Sequence, residues 1–396
     1  MPALPALHAL ILASPVMHAQ YQSNRNTLLG ACLGRELDGL FVDAYACVMS
    51  RAGKIGSPRT NEKITAFLDS YRGWLSGSRS DLNLGVNAIA PSLVRWLASF
   101  HRTVVQPLAR QYGTWALANL AKELTEGDQT IGPTRSEEIR ICRALYRYHT
   151  YQHLFGRNRG KRRGYFAHHE INERFFCLFD PWDAEAVGCI ELFLRQRYET
   201  IFDDVKADLH YESERFWSAN GTFHPQGSFD LVAEHESRHH HVPGILSRGL
   251  KTAVLLLAIR THEDLVAKMQ RCLVAKGPDA TMRRALEAVA QDLRRGLSTE
   301  PPTAGDEAER RRDRLNFVGD EIPPNGPPLA WVLLWGGKYA NLYGGYVPES
   351  LQRWGYVMWD EPRWLGSRDL VARQWETAPE LVEAIKTAFN WSPVEC

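Results

Sequence analysis

The stretch DPWDAEAVGCIELFLRQRYETI, from Asp180 to Ile201, contains a helix-start signal followed by a long amphipathic pattern. Asp180 is a residue type favoured just before a helix, and Pro181 has the backbone angle that a first helical turn needs. Asp183 then faces the positive end of the helix dipole. Apolar side chains follow with the spacing of one helix face, at Trp182, Ala186, Ile190, Phe193, Leu194, Tyr198 and Ile201. The charged side chains are expected on the opposite face, at Glu185, Glu191, Arg195 and Arg197.

The segment that precedes this helix has the same character. Ser136, with Glu137 and Glu138, is a second start signal, and Gly156 is typical of a helix end. The apolar positions between them again share one helix face: Ile139, Cys142, Leu145, Tyr146, His149, Leu154 and Phe155. Similar patterns recur along the chain. We therefore predict an all-α protein, a multi-helical irregular bundle of two or three subdomains with an aromatic-rich C-terminal unit.

Composition restricts the functional classes. The chain has 396 residues, of which 44% are hydrophobic, and a net charge of +1. This balance predicts a folded protein without a global field for nucleic acid, so a nucleic-acid partner is not expected. No apolar run approaches the roughly 18 to 20 residues of a membrane span, so no membrane partner is expected. The seven cysteines are scattered and never spaced as C-x-x-C, which indicates reduced thiols in a cytoplasmic or nuclear protein.

Breaks in the helical pattern divide the chain into four parts. Residues 1–49 contain two helices that meet at a sharp corner, and residues 50–297 form a helical body. A polar connection rich in Gly, Pro and His interrupts this body at about residues 203–244. Proline pairs and mixed charge at residues 298–328 predict a linker. In residues 329–396, Trp and Tyr are interspersed with glycines that let large rings approach the backbone.

The N-terminal segment LPALHALILASPVMHAQY, residues 4–21, resembles the second half of an F-box as found in uncharacterised proteins of filamentous (ascomycete) fungi. RALYRY at residues 143–148, LFG at 154–156 and VPESLQRWGYVMWD at 347–360 are similar to the shared body of that family. The family's opening Leu-Pro-x-Glu helix is not in the chain. The resemblance therefore implies an N-terminally incomplete F-box, through an upstream truncation of the gene model or through loss of the docking function.

The same resemblance implies a partner and a set of contact residues. F-box helices bind the adaptor subunit of SCF-type ubiquitin ligases, so the chain is similar to a substrate receptor or F-box-like adaptor. The residues that the resemblance assigns to the adaptor-binding remnant are Leu7, Leu10, Ile11, Val16 and Tyr21.

A zinc site is the alternative interpretation. His235, Glu236 and His239 satisfy H-E-x-x-H, in which a helix presents two imidazoles to zinc and the Glu serves as a general base. Charged Arg238 within the motif and Pro243 just after it favour a solvated His-rich loop instead. A zinc-dependent hydrolase stays as the second candidate function.

The loop RNRGKRR at residues 157–163 also has two interpretations. It is an exposed loop tip, or it is a nuclear address in which Lys161, Arg162 and Arg163 are the recognised residues.

Apart from H-E-x-x-H, no motif of a common enzyme class is present in the sequence. There is no G-x-S-x-G, no G-x-x-x-x-G-K-[ST] and no G-x-G-x-x-G, and no cysteine is marked as an activated thiol. We therefore predict a protein-interaction protein rather than an enzyme, with no catalytic residues and no cofactor.

Overall fold

The fold is helical. The structure is a computed structural model. It describes residues 4–77, 89–124, 132–156, 162–209, 241–272, 281–288, 302–321, 324–390 and 392–393. Among these residues, named strands are limited to β1 (Arg59–Thr60) and β2 (Arg162–Arg163), which pair in parallel. The prediction of an all-α, multi-helical protein is confirmed.

Seven helices precede the centre of the fold. They are α1 (Leu4–Ala13), α2 (Pro15–Glu36), α3 (Phe41–Met49), α4 (Ala52–Ile55), α5 (Asn61–Leu75), α6 (Pro91–Phe100) and α7 (Gln106–Leu120). A π-helical segment, His101–Val105, joins α6 to α7. Proline in the first turn helps to start α2, α6 and α7, because its fixed φ suits that position and its missing N–H is not needed there.

The middle of the chain contains the two longest buried helices. Its helices are α8 (Arg135–Leu154), α9 (His168–Phe175), α10 (Pro181–Leu209), α11 (Leu250–Ala258), α12 (His262–Cys272) and α13 (Met282–Glu287). Residues 241–246 are also helical, and a 3₁₀ turn, Phe176–Leu178, follows α9.

The C-terminal part consists of short helices and turns. Its helices are α14 (Ala304–Arg311), α15 (Leu329–Leu334), α16 (Glu349–Trp354), α17 (Arg368–Arg373) and α18 (Pro379–Phe389). Between them lie 3₁₀ turns at Gly344–Tyr346, Tyr356–Met358, Glu361–Trp364 and Gln374–Thr377.

Helix α8 is the buried centre of the fold. It begins at a capping box in which the Thr134 hydroxyl accepts from the Glu137 N–H while the Glu137 carboxylate accepts from the Thr134 N–H. The N-cap is therefore Thr134 rather than the predicted Ser136. Seventeen of the 20 residues of α8 are buried, and the helix packs between α3, α7 and α10. The sequence predicted burial along a single apolar face of α8. The observed burial is more extensive, because polar side chains of α8 are also enclosed.

Arginines on α8 are buried because carboxylates from distant helices enclose them. Arg147 Nε donates to Asp43 Oδ1 of α3 at 2.8 Å, and Arg147 Nη1 lies 2.8 Å from Asp183 Oδ2 of α10. Tyr71 of α5 donates its hydroxyl to the same Asp43 oxygen at 2.5 Å. Burial opposes ionisation of Asp183, but Arg147 and Arg143 hold its pKa below the ordinary value. This cluster joins four helices around one guanidinium.

A second group of buried charges ties the C-terminal part to the start of α8. Arg140 Nη1 donates to Asp360 Oδ1 at 2.6 Å, and Arg140 Nη2 donates to Asp320 Oδ1 at 2.8 Å. Arg363 Nε lies 2.6 Å from Oε1 of Glu137, whose side chain is fully buried. Charge-assisted contacts of this kind fix orientation as well as position. The C-terminal segment is therefore held in register along one side of α8.

The predicted polar face of α10 is partly wrong. Glu185 is 0% exposed and Glu191 is 7% exposed, so both are core residues rather than solvated ones. Glu185 accepts hydrogen bonds from the Gly344 N–H at 2.6 Å and from Gln352 Nε2 at 3.0 Å. The C-terminal part of the chain covers this face of α10, and the amphipathic pattern contains no information about that cover.

The predicted linker at residues 298–328 contains a capped helix, α14, which its composition did not predict. Thr303 caps the helix together with Asp306, and the Asp306 carboxylate also accepts from Asn341 Nδ2 at 2.9 Å. Glu309 accepts from the Asn341 backbone N–H at 3.1 Å. Two buried carboxylates thus attach α14 to the C-terminal part of the chain.

The aromatic C-terminal unit is a packing element. Four of its tryptophans are among the largest fully buried side chains of the described residues: Trp331, Trp335, Trp359 and Trp364. The buried apolar residues of the described chain form one continuous cluster that extends from Leu4 to Ile385. None of the described helices is both long and apolar enough to cross a membrane.

Candidate functional site

Helix α1 is attached to the fold by one of its faces. Leu4 and Leu7, one turn apart, are 4% and 5% exposed and belong to the continuous core. Ser14, the residue between α1 and α2, has an extended backbone conformation. Helix α2 packs against α1, so the two helices form a corner. This arrangement agrees with the two N-terminal helices that the sequence predicted.

Glu36 at the end of α2 is the polar anchor of α1. Its Oε1 accepts from the Leu4 backbone N–H at 3.0 Å, and its Oε2 accepts from Gln106 Nε2 at 2.7 Å. His101 Nε2 lies 3.3 Å from the same Oε2. Burial opposes ionisation of Glu36, but the hydrogen bonds from His101 and Leu4 lower its pKa below the ordinary value. A charged carboxylate therefore holds the first turn of α1 in place.

Large apolar side chains are exposed where α1 meets α2. Leu10 and Leu12 in the last turns of α1 are 46% and 73% exposed, and Val16 and Met17 in the first turn of α2 are 64% and 39% exposed. We call these four residues the apolar corner. Only four other large hydrophobic side chains are exposed in the described parts of the chain, at Tyr165, Leu255, Val318 and Leu365. Half of the exposed large hydrophobic residues thus lie within eight consecutive positions.

The segment that carries the apolar corner contains no charged residue. No Asp, Glu, Lys or Arg occurs before Arg25, so residues 4–24 contribute only neutral polar and histidine side chains around it. Depletion of charged residues is typical of the centre of a protein interface. Both the exposed apolar groups and their surroundings therefore suit contact with another protein.

The five residues assigned to the adaptor-binding remnant separate into two groups. Leu10 and Val16 belong to the apolar corner. Leu7 is buried in the core, while Ile11 and Tyr21 are partly buried and pack against it. Leu12 and Met17 complete the exposed surface but were not singled out from the sequence, since apolar periodicity alone does not tell an exposed Leu from a buried one.

The other predicted sites are mostly outside the described residues. His235, Glu236 and His239 of the zinc alternative lie there, and so does Lys161 of the basic loop. The backbone of Arg162 and Arg163 forms β2.

A cleft of about 610 Å³ lies between α10, α13 and the C-terminal helices. Its charged lining is mixed and includes internal ion pairs, since Arg283 Nε lies 2.7 Å from Glu287 Oε1 and Arg195 Nε lies 3.6 Å from Glu191 Oε2. Glu185 is buried behind the residues that line the cleft. Burial raises the pKa of Glu185 to about 7 despite its two hydrogen bonds. Because Glu185 has no exposed surface, we assign it to holding the C-terminal segment rather than to chemistry in the cleft.

A smaller pocket of about 140 Å³ lies beside α8 and the start of α11. His149 and His153 of α8 line it, and Cys47 of α3 lies next to them, with one potential ligand atom from each residue within 4.8 Å of the others. The sequence did not single out this group, although His149 and His153 have the spacing of one helix turn. Burial lowers the pKa of His149 well below its ordinary value and that of His153 to about 4.

Of these features, the apolar corner is the one that contains residues assigned by the sequence resemblance, namely Leu10 and Val16. Known proteins supply no relative from which a residue's role can be transferred. No protein-family model, no curated protein and no solved structure matches the chain.

Proposed function

We propose that this chain is a non-enzymatic interaction protein that binds an adaptor subunit of SCF-type ubiquitin ligases through the apolar corner. The observation that carries the proposal is the exposure of Leu10, Leu12, Val16 and Met17 at an uncharged helix corner. The resemblance of residues 4–21 to half of an F-box supports this choice of partner. The rest of the helical body then serves to present the corner and to contact a second protein.

The exposed area is large enough to contribute useful binding energy. Complete burial of one large apolar side chain contributes about 1.5–3 kcal/mol. The four side chains are 39–73% exposed, so covering them contributes on the order of 4 kcal/mol before the entropic cost of association. Such a contribution suits one part of an interface, in which a few central residues dominate.

The experiment is capture of the purified adaptor subunit by the purified chain. The substitution Leu12→Asp places charge in the proposed interface and is expected to weaken binding at least tenfold. Leu255→Asp is the matched control, because Leu255 is a leucine of α11 that is also exposed, at 54%. We expect the control to bind as the unmodified chain does, and circular dichroism to report the same helix content for all three.

Two results would reject the proposal. The first is no detectable binding of the adaptor by the unmodified chain. The second is equal weakening by the substitution at the corner and by the control at Leu255, because a general effect of added charge would then explain the loss.

A partner of this kind implies a cytoplasmic or nuclear protein, and the basic loop offers a way to distinguish the two. Replacing Lys161, Arg162 and Arg163 with Ala is expected to move a fluorescently tagged chain from the nucleus to the cytoplasm. Unchanged nuclear entry would assign the loop to the exposed-tip interpretation.

A further inference from the structure

The small pocket beside α8 has a one-sided charge. Its charged side chains are Arg51, Arg248 and Lys251, and no carboxylate is among the residues that line it. In the described part of the chain these three cations form no ion pair. Instead, the guanidinium of Arg51 lies 4.4 Å from the ring centre of Trp96, and Lys251 Nζ lies 5.4 Å from the same ring. Three positive charges therefore converge on one concave site without an anion.

A helix terminus and an unsatisfied side-chain donor add to this positive field. Gly249 lines the pocket and is also the N-cap residue of α11, so the positive end of that helix dipole lies at the pocket. Arg248 contributes a buried Nε–H that has no hydrogen-bond partner in the structure, although its Nη2 donates to the Arg271 carbonyl at 3.5 Å. An unsatisfied buried donor is unfavourable unless a ligand or solvent accepts from it.

The hydrogen bonds of His149 determine which of its ring nitrogens carries the proton. The Leu250 backbone N–H donates to His149 Nδ1 at 3.3 Å. A backbone N–H is only a donor, so the lone pair of Nδ1 is occupied and the neutral ring carries its proton on Nε2. His149 thus offers a donor rather than a free lone pair.

This tautomer argues against a metal ion held by Cys47, His149 and His153. One nitrogen of His149 accepts from the backbone and the other carries a proton, so neither has a lone pair for coordination. Arg51 and Lys251 are close enough to disfavour positive charge on both imidazoles, and they would repel a divalent cation in the same way. The charge and the donors both match an anion.

We propose that this pocket binds a phosphate group, with Arg51, Arg248 and Lys251 as its charged donors. Its volume of about 140 Å³ is well above the 10–15 Å³ that a single water needs, at about the scale of several waters. Arginine and lysine are the side chains that most often bind phosphate, and contacts between ionised groups are about twice as strong as neutral ones. The site is independent of the apolar corner and adds a ligand to the proposed interaction protein.

The test measures binding of inorganic phosphate to the full chain by calorimetry at constant ionic strength, with chloride as the balancing ion. Lys251→Glu reverses a charge inside the pocket at an exposed residue, and Arg260→Glu makes the same change at an exposed residue outside it. We expect Lys251→Glu to weaken phosphate binding at least tenfold and Arg260→Glu to leave it within twofold. A parallel titration with a phosphate monoester distinguishes the source, since the tighter of the two ligands identifies a free ion or a phosphorylated molecule.

Three outcomes would overturn the proposal. No saturable binding of either phosphate compound by the unmodified chain is the first. Equal weakening by Lys251→Glu and Arg260→Glu is the second, because it would indicate a general charge effect. The third is stoichiometric zinc in the unmodified chain that is lost on Cys47→Ser, which would assign the pocket to a metal.

Discussion

Replacing Glu185 with Gln is expected to remove a loss of stability that the unmodified protein shows as the pH rises through 7. Glu185 is 0% exposed, and burial raises its pKa from an ordinary value of 4.5 to about 7. No cation is among the groups that shift this pKa; the Gly344 N–H and Gln352 are its polar partners. An ionised Glu185 therefore lacks the charged partner that the buried carboxylate of Asp43 and the half-buried carboxylate of Asp183 have in Arg147.

The size of the effect follows from the two pKa values. Below pH 4.5 the carboxyl is protonated in the folded and unfolded states, so its stabilising contribution is fully present. As the pH rises through 7, the unfolded chain has already released the proton that the folded chain still holds, and the contribution is lost. A tenfold difference in proton affinity corresponds to about 1.4 kcal/mol, so pKa values of 4.5 and about 7 correspond to about 3 kcal/mol at pH 8.5.

The assay is urea denaturation of both proteins at pH 5 and pH 8.5. Gln has nearly the same shape as Glu and stays neutral, and its amide nitrogen meets one of the two N–H donors equally at both pH values. The free energy of unfolding of Glu185→Gln relative to the unmodified chain should therefore increase by about 2.5 kcal/mol between the two pH values, because the unfolded chain has already released most of this proton at pH 5. Glu376→Gln removes an exposed carboxyl of the C-terminal part that covers Glu185, and it controls for the loss of one charge. The same pH dependence in both variants, or none in Glu185→Gln, would refute the reasoning.

Two further substitutions test the packing. Arg147→Met removes the cation between the carboxylates of Asp43 and Asp183. We expect the free energy of unfolding, measured by urea denaturation, to fall by about 3–5 kcal/mol. A loss below about 1 kcal/mol would contradict the stabilising role of this cluster. Gly355→Ala adds a Cβ at φ +66°, where it meets a side chain of α7, so we expect a loss of about 2 kcal/mol or more from the melting temperature shift. Gly53→Ala is its control, because a Cβ there meets nothing within 4 Å.

The helix starts were accessible from the sequence because their signals are local. Pro181 was predicted to begin a helix, and α10 begins at this residue. Proline also stands at the first position of α2, α6 and α18. A proline in the first turn acts through its own φ and its own missing N–H, so no distant part of the chain has to be known. The all-α class follows from the sum of such signals.

The buried charges were not accessible, because each depends on a partner far away in the sequence. Arg140 and Asp360 are separated by 220 positions, and no periodicity within α8 indicates that a carboxylate will lie opposite. Glu185 is a similar case, since the Gly344 turn that covers it is 159 positions away. The basic pocket likewise combines α8, the residues around the start of α11 and the turn between α3 and α4, so its three cations look like ordinary surface charges in the sequence.

The apolar corner depends on the anchor beneath it. Isolated helices shorter than about 12–15 residues are marginally stable in water, and α1 has 10 residues. Its conformation therefore requires the burial of Leu4 and Leu7 together with the hydrogen bond from the Leu4 N–H to Glu36. A helix that is fixed along one face holds its exposed side chains in a constant orientation, which lowers the entropy lost when a partner binds. The contacts of Leu4 and Leu7 with the core therefore keep Leu10 and Leu12 exposed. The apolar surface of these two side chains is the part of the structure that a second protein would cover.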